Sequence, residues 1–183
     1  MKAMRLVKSI FVFALVGTLL ACGKKPATSQ EGTAQTSTQE ATGTVSFFVT
    51  AEGFSDTSTP LALLFKSGDD AYEAYVDSEH TSLSLPAGTY TMAYVGSPIN
   101  MDGSLYAIPS ESTEVVVTAD KECTVDISLE PLSVDDATQE EVEAAKNAAR
   151  AAVEYMQKQD DMLVEYLGPR VDENIAALED ALE

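Results

Sequence analysis

Two cysteines and one histidine are the residues of this 183-residue chain best suited to nucleophilic or metal-binding chemistry. His80 is the sole imidazole, so any Ser-His-Asp or Cys-His relay would have to pass through it. No G-x-S-x-G elbow is present, and a lone histidine at the start of a short alternating stretch is ordinarily a surface residue. Zinc needs clustered His and Cys, which one histidine and one free thiol do not supply. Calcium would have to use the acids, but Asp69-Asp70 and Asp102-Gly103-Ser104 lack the spaced pattern of an EF-hand loop and read as turn formers. Neither a P-loop nor a G-x-G-x-x-G fingerprint occurs. With 30 acids a carboxylate pair for glycoside hydrolysis stays open, yet no spacing singles one out. The expectation is a chain with no catalytic residue, no metal ligand and no cofactor.

The chemistry that remains is acylation of Cys22. Lys2, Arg5 and Lys8 form a basic start, and Ile10 to Ala21 follows as 12 residues without a charge. As a helix that stretch would be about 18 Å long, short of a hydrocarbon core of about 30 Å. It fits the apolar region of an export signal better than a permanent span. The stretch ends in Leu19-Leu20-Ala21-Cys22. This resembles the lipobox of bacterial lipoproteins, with an aliphatic residue at −3, a small one at −1 and cysteine at +1; Leu20 at −2 is bulkier than is usual there. The resemblance implies diacylglyceryl transfer to the Cys22 thiol, cleavage after Ala21, and residence on the extracytoplasmic face of the cell membrane. With Gly23 rather than Asp at +2, an outer membrane is open to it if the cell has two. Each buried methylene contributes about 0.8 kcal/mol, so two or three acyl chains hold where one would not.

Removing the signal leaves eight basic residues against 30 acidic ones, a net charge of −22. So acidic a surface repels phosphate backbones and anionic lipid head groups, which excludes nucleic acid and a basic-patch membrane contact as natural partners. With Cys22 lipidated, Cys123 has no partner in the chain, and a disulfide framework is excluded.

The elements that would carry these residues divide into a tether, strands and helices. Residues 22–43 are rich in Thr, Ser, Gln, Ala and Gly without a large apolar side chain, and are expected to form a flexible tether. Residues 44–132 show a period of two. Cys123, Val125, Ile127 and Leu129 share one face of a strand, opposite Thr124, Asp126, Ser128 and Glu130. This puts Cys123 inward as a small hydrophobe, with only Lys121 as a nearby base. Similar runs lie at Val45–Val49, Leu61–Phe65, Tyr72–Val76, Ser82–Leu85, Tyr90–Tyr94 and Thr113–Thr118, separated by Gly, Pro and Asp turns. Seven or so such strands predict a β-sandwich. Of Tyr72, Tyr75, Tyr90, Tyr94 and Tyr106, most should pack in or across the strands; any at the surface would suit sugar or peptide.

Leu83-Ser84-Leu85-Pro86-Ala87-Gly88-Thr89-Tyr90-Thr91-Met92 is similar to the turn-and-strand of prealbumin-like surface modules, among them Cna-B repeats and carboxypeptidase regulatory-like domains. The resemblance implies a Greek-key sandwich over about residues 43–131. In the motif Pro86 pre-sets a turn, Gly88 permits a positive φ, and Tyr90 opens the next strand facing the core. Many Cna-B modules carry a Lys–Asn isopeptide bond between first and last strands. Residues 44–50 hold no lysine and 123–130 no asparagine, so none is expected here.

From 135 to 183 the period becomes about 3.6. Thr138-Gln139-Glu140-Glu141 fits a capping box. Val142, Ala145, Ala149, Ala152, Met156, Leu163 and Tyr166 form an apolar stripe interrupted by Gln159, and Gly168-Pro169 is expected to end a long first helix. Val171, Ile175, Leu178 and Leu182 restart the stripe in a short second helix. The predicted acidic hairpin would pack on itself or on the sandwich, with self-association or a protein partner through residues 138–182 as the sharper reading. The functional expectation is a lipid-anchored, non-enzymatic envelope protein, a binding or spacer module. A carboxylate hydrolase of wall or glycan comes second. A solute-binding lipoprotein comes third, since the chain is short for two lobes and shows no βαβ alternation.

Overall fold

The computed structural model describes residues 41–159 and 161–183, the side chains of 161–164 excepted. The export signal with Leu19, Leu20 and Ala21, the lipid attachment at Cys22 and most of the tether therefore lie outside the described residues. No described helix is long and apolar enough to cross a membrane.

Among the described residues eight strands follow in order: β1 (Thr42–Ala51), β2 (Leu61–Ser67), β3 (Asp70–Val76), β4 (Ser82–Pro86), β5 (Gly88–Gly96), β6 (Leu105–Ala107), β7 (Thr113–Val117) and β8 (Glu122–Leu132). They make two four-stranded sheets, β4-β1-β8-β6 and β3-β2-β5-β7. The chain is thus mainly β, a sandwich followed by a helical pair, as the alternation predicts. The first and last strands lie side by side and parallel, from Thr44 against Glu122 to Ala51 against Leu129. All other paired strands are antiparallel.

Alternation decides which way each sheet faces. Val45 and Phe47 of β1 and Val125, Ile127 and Leu129 of β8 are buried together with Leu63, Phe65 and Met92 from the other sheet. Phe47 and Phe65 meet across the interface with ring centroids 6.0 Å apart. Thr124, Asp126 and Ser128 stay exposed on the outer face of β8. A one-residue slip would drive Asp126 into that core, which pins the register. Cys123 is partly buried against the same cluster, on the predicted face.

The outer face of the second sheet is covered by helix. α1 (Gln139–Gln157) begins at a complete capping box. Thr138 Oγ1 accepts the Glu141 N–H at 3.2 Å, and the Glu141 carboxylate accepts the Thr138 N–H at 2.8 Å. Its buried face (Val142, Ala145, Ala149, Ala152, Met156) packs with Ala62 and Tyr75 of the sheet. Alanines let the backbones approach closely. A Cβ on Gly96 would stand 2.6 Å from the Ala144 carbonyl oxygen, so this position requires glycine. At the other end of α1, the Tyr155 ring meets that of Tyr75 at a tilt of 45°, with centroids 4.9 Å apart. Tyr75 is thus buried outward under the helix, while Tyr72 and Ala74 face the sandwich interior.

Four expectations need correction. The tether's last residues, Thr42 and Gly43, belong to β1. A further strand, β6, is too short at three residues to show an alternation. The helix break does not fall at Gly168-Pro169: α2 runs Asp161–Ala181 with Pro169 inside it, and is the longer helix. An interior proline costs about 3 kcal/mol. Burial of Leu167 and Val171 on either side of Pro169 holds the helix through it. The break lies instead after Gln157, where the stripe has run out at Gln159. The helical phase resets there, so Tyr166 is 80% exposed while Leu167 takes the buried position; Leu182, 48% exposed, lies just past the end of α2.

Candidate functional site

Two loops and the helical pair meet at one end of the sandwich, and hydrogen bonds rather than regular structure fix them. β1 delivers the loop 52–60, and β5 delivers the loop 97–104. Tyr106 ties both: its hydroxyl donates to the Glu52 carbonyl at 2.8 Å, and its N–H donates to Ser97 Oγ at 2.8 Å. Asn100 donates through Nδ2 to Tyr106 Oη at 3.0 Å and to Ser104 Oγ at 3.0 Å, and accepts from Ser58 Oγ at 2.6 Å. Ile99 N–H donates to Thr59 Oγ1 at 2.8 Å. From α2, the buried Asn174 donates through Nδ2 to the carbonyls of Thr57 and Ile99, both at 2.9 Å. Arg170 donates to the Asp56 carbonyl. Burial pushes the Tyr106 hydroxyl's pKa up, against the Asn100 hydrogen bond. Buried groups so satisfied rigidify a loop cluster.

Beside this cluster lies a cleft of about 440 Å³, walled by the end of β5 with Ser97 just after it, the segment 108–111 that leads to β7, and the start of α1. Its size falls in the usual range of ligand clefts, roughly 300–1,000 Å³. Leu105, Ile108, Pro109, Leu132 and Ala144 make it largely apolar, and Glu111, Glu140 and Glu141 supply charge; no Lys, Arg or His lines it. Glu141 is committed to the capping box, and hydrogen bonds from Thr138 hold its carboxyl below the usual range. Tyr94, in the wall, has its pKa raised by burial and stays neutral.

Pro86, Gly88 and Tyr90 do come together, at the opposite end of the sandwich. They line a second hollow of about 320 Å³ with Ala41, Asp70 and Tyr72. Tyr90 is buried, as expected; its hydroxyl donates to the Pro86 carbonyl at 2.8 Å, and its ring meets Tyr72 edge-on at 5.8 Å. Gly88 departs from expectation. It is not among the positive-φ residues, because it already lies in β5, paired with Val117. His80 lies between β3 and β4, its Nδ1 2.9 Å from Asp77 Oδ1. Burial pushes the Asp77 carboxyl up, but the N–H groups of His80 and Glu79 and the His80 ring outweigh that and hold it below its ordinary value.

Neither the loop cluster nor the apolar cleft was marked in the sequence. Asn174 sits one position from the stripe residue Ile175, and a polar residue so close to an apolar stripe is the signal that could have found it.

No protein-family model matches the chain, and no curated protein matches it in sequence. Among solved structures it is similar to the Bacillus anthracis TIE protein, at 13% identity and a TM-score of 0.42, over 50% of this chain and 17% of that one. It is also similar to GBS52, the minor pilin of Streptococcus agalactiae, at 18% identity and 0.37, over 50% and 45%. A DUF3823 family protein from Bacteroides ovatus matches at 18% identity and 0.34, over 49% and 44%. The chain spans less than half the length of each of these three, and the likeness is loose.

Proposed function

We propose that the chain is a lipid-anchored, non-enzymatic envelope protein, held on the outer side of a bilayer by acyl chains on Cys22. The observation that carries this reading is the order of parts at the N-terminus: Lys2, Arg5 and Lys8, then 12 uncharged residues, then Leu19-Leu20-Ala21-Cys22. The geometry of the sandwich supports a spacer or binding role. β1 begins at the end where Thr42 pairs with Pro86, and its far end leads into the loop that Asn174 and Arg170 of α2 hold. Ten strand residues separate these ends by roughly 33 Å. A chain tethered through Ala41 would therefore face the bilayer with the Pro86–Tyr90 turn and present the helical pair away from it.

The hydrolase reading has less to rest on. Among the described residues, hydrogen bonds hold the carboxyls of Asp77, Asp102, Glu141 and Glu179 below their ordinary values, whereas a general acid needs its pKa raised. Mass spectrometry of the purified mature protein tests the anchor. The expected N-terminal peptide begins at Cys22 and carries a diacylglyceryl thioether; an unmodified Cys22 would refute it.

A further inference from the structure

The cleft beside α1 is a fork in the second sheet. β7 pairs with β5 from Val117 opposite Gly88 to Thr113 opposite Met92, and goes no further. Before Thr113 the chain carries Pro109, which has no N–H to offer a ladder, while β5 continues to Gly96. Ala93 and Tyr94 of β5 pair with Leu64 and Leu63 of β2 on one side, and no described strand pairs with them on the other. The β2–β5 register also shifts between Ala62 and Leu63, leaving Val95 as an extra residue, 46% exposed. A bulge of this kind re-aims the strand locally, and pairing with β2 resumes at Gly96. The unpaired edge opens into the concave cleft already described, with apolar walls and the carboxylates of Glu111 and Glu140 near it.

We propose that this fork takes a short extended peptide bearing a basic residue, which adds to β5 in line with β7. An open strand edge recognises extended backbone, and the pockets beside it choose the side chains. The apolar walls suit an aliphatic side chain, and two uncommitted carboxylates with no basic neighbour suit a lysine or arginine. The proposal rests on the binding-module reading and names its partner, but is independent of acylation at Cys22.

The test uses the full chain in detergent micelles and a defined probe, the capped peptide Thr-Lys-Val-Lys-Val, with a counterpart in which glutamate replaces lysine. Amide hydrogen exchange is followed residue by residue. The lysine peptide is expected to bind saturably and to slow exchange at Ala93–Val95, with the glutamate peptide weaker by about tenfold or more. The double variant Glu111→Gln, Glu140→Gln changes only exposed side chains; it should weaken binding by about tenfold without lowering the melting temperature. Absence of binding, equal binding of the two peptides, or binding that leaves exchange at Ala93–Val95 unaltered would overturn the proposal. Mass spectrometry at Cys22 reads the anchor separately, so an acylated chain with an unprotected fork and an unacylated chain with a protected one are distinct results.

Discussion

Single side chains hold the far end of this sandwich together. Asn174 is 1% exposed and bonds two loop carbonyls, that of Thr57 and that of Ile99, which also accepts the Thr59 N–H. Leaving a buried acceptor unpaired costs about 1–3 kcal/mol. Asn174→Ala should therefore lower the unfolding free energy by about 1–3 kcal/mol in urea titrations, while Asn147→Ala on the exposed side of α1 should change little. The acids make a second, pH-dependent contribution. Hydrogen bonds from Ser104 hold Asp102 below its ordinary value of 3.8, and those from His80 and Glu79 more than offset burial at Asp77. A carboxyl whose folded pKa is depressed stabilises the fold above the unfolded value, and that stabilisation is lost as pH falls through the folded one. Melting temperatures measured from neutral pH downward should thus drop below about pH 4, and less steeply in Asp77→Asn.

Elements show where local preference and tertiary packing disagree. Pro169 inside α2 forgoes a backbone hydrogen bond, and Gly168 before it is a poor helix former. Pro169→Ala should stabilise the protein by about 1–3 kcal/mol, seen as a raised urea midpoint with an unchanged slope. Gly103 works in the opposite sense. Its φ is +80°, and a Cβ there would stand 2.5 Å from the Ala177 carbonyl oxygen, so Gly103→Ala should loosen α2 and lower the melting temperature. These cases mark what could be read from the sequence. Strict alternation in β8 and β1, and the Thr138–Glu141 capping box, are set within a few residues and stood where the pattern put them. The helix break depended on long-range burial of Leu167 and Val171, and Tyr75 was placed by a helix some 80 residues away; neither is visible in local periodicity. The fork at β5 was out of reach for a related reason, since it is defined by where β7 ceases to pair.

On the scale of the whole molecule, charge and polarity of the fold dominate. The chain's net charge of −19 repels itself, and salt screens exposed charges over about 10 Å at 0.1 M. Added sodium chloride should raise the melting temperature by a few degrees, the reverse of a fold held by surface ion pairs. That same charge leaves the body no electrostatic reason to stay on an anionic bilayer. In the proposed arrangement attachment rests on acyl chains at Cys22, with the Pro86–Tyr90 end toward the membrane and the helices outward. Replacing Cys22 by serine and following the protein through membrane fractionation is the most direct test. The account predicts that Cys22→Ser leaves the membrane fraction and loses its acyl mass; a variant that still sediments with membranes in acylated form would contradict it.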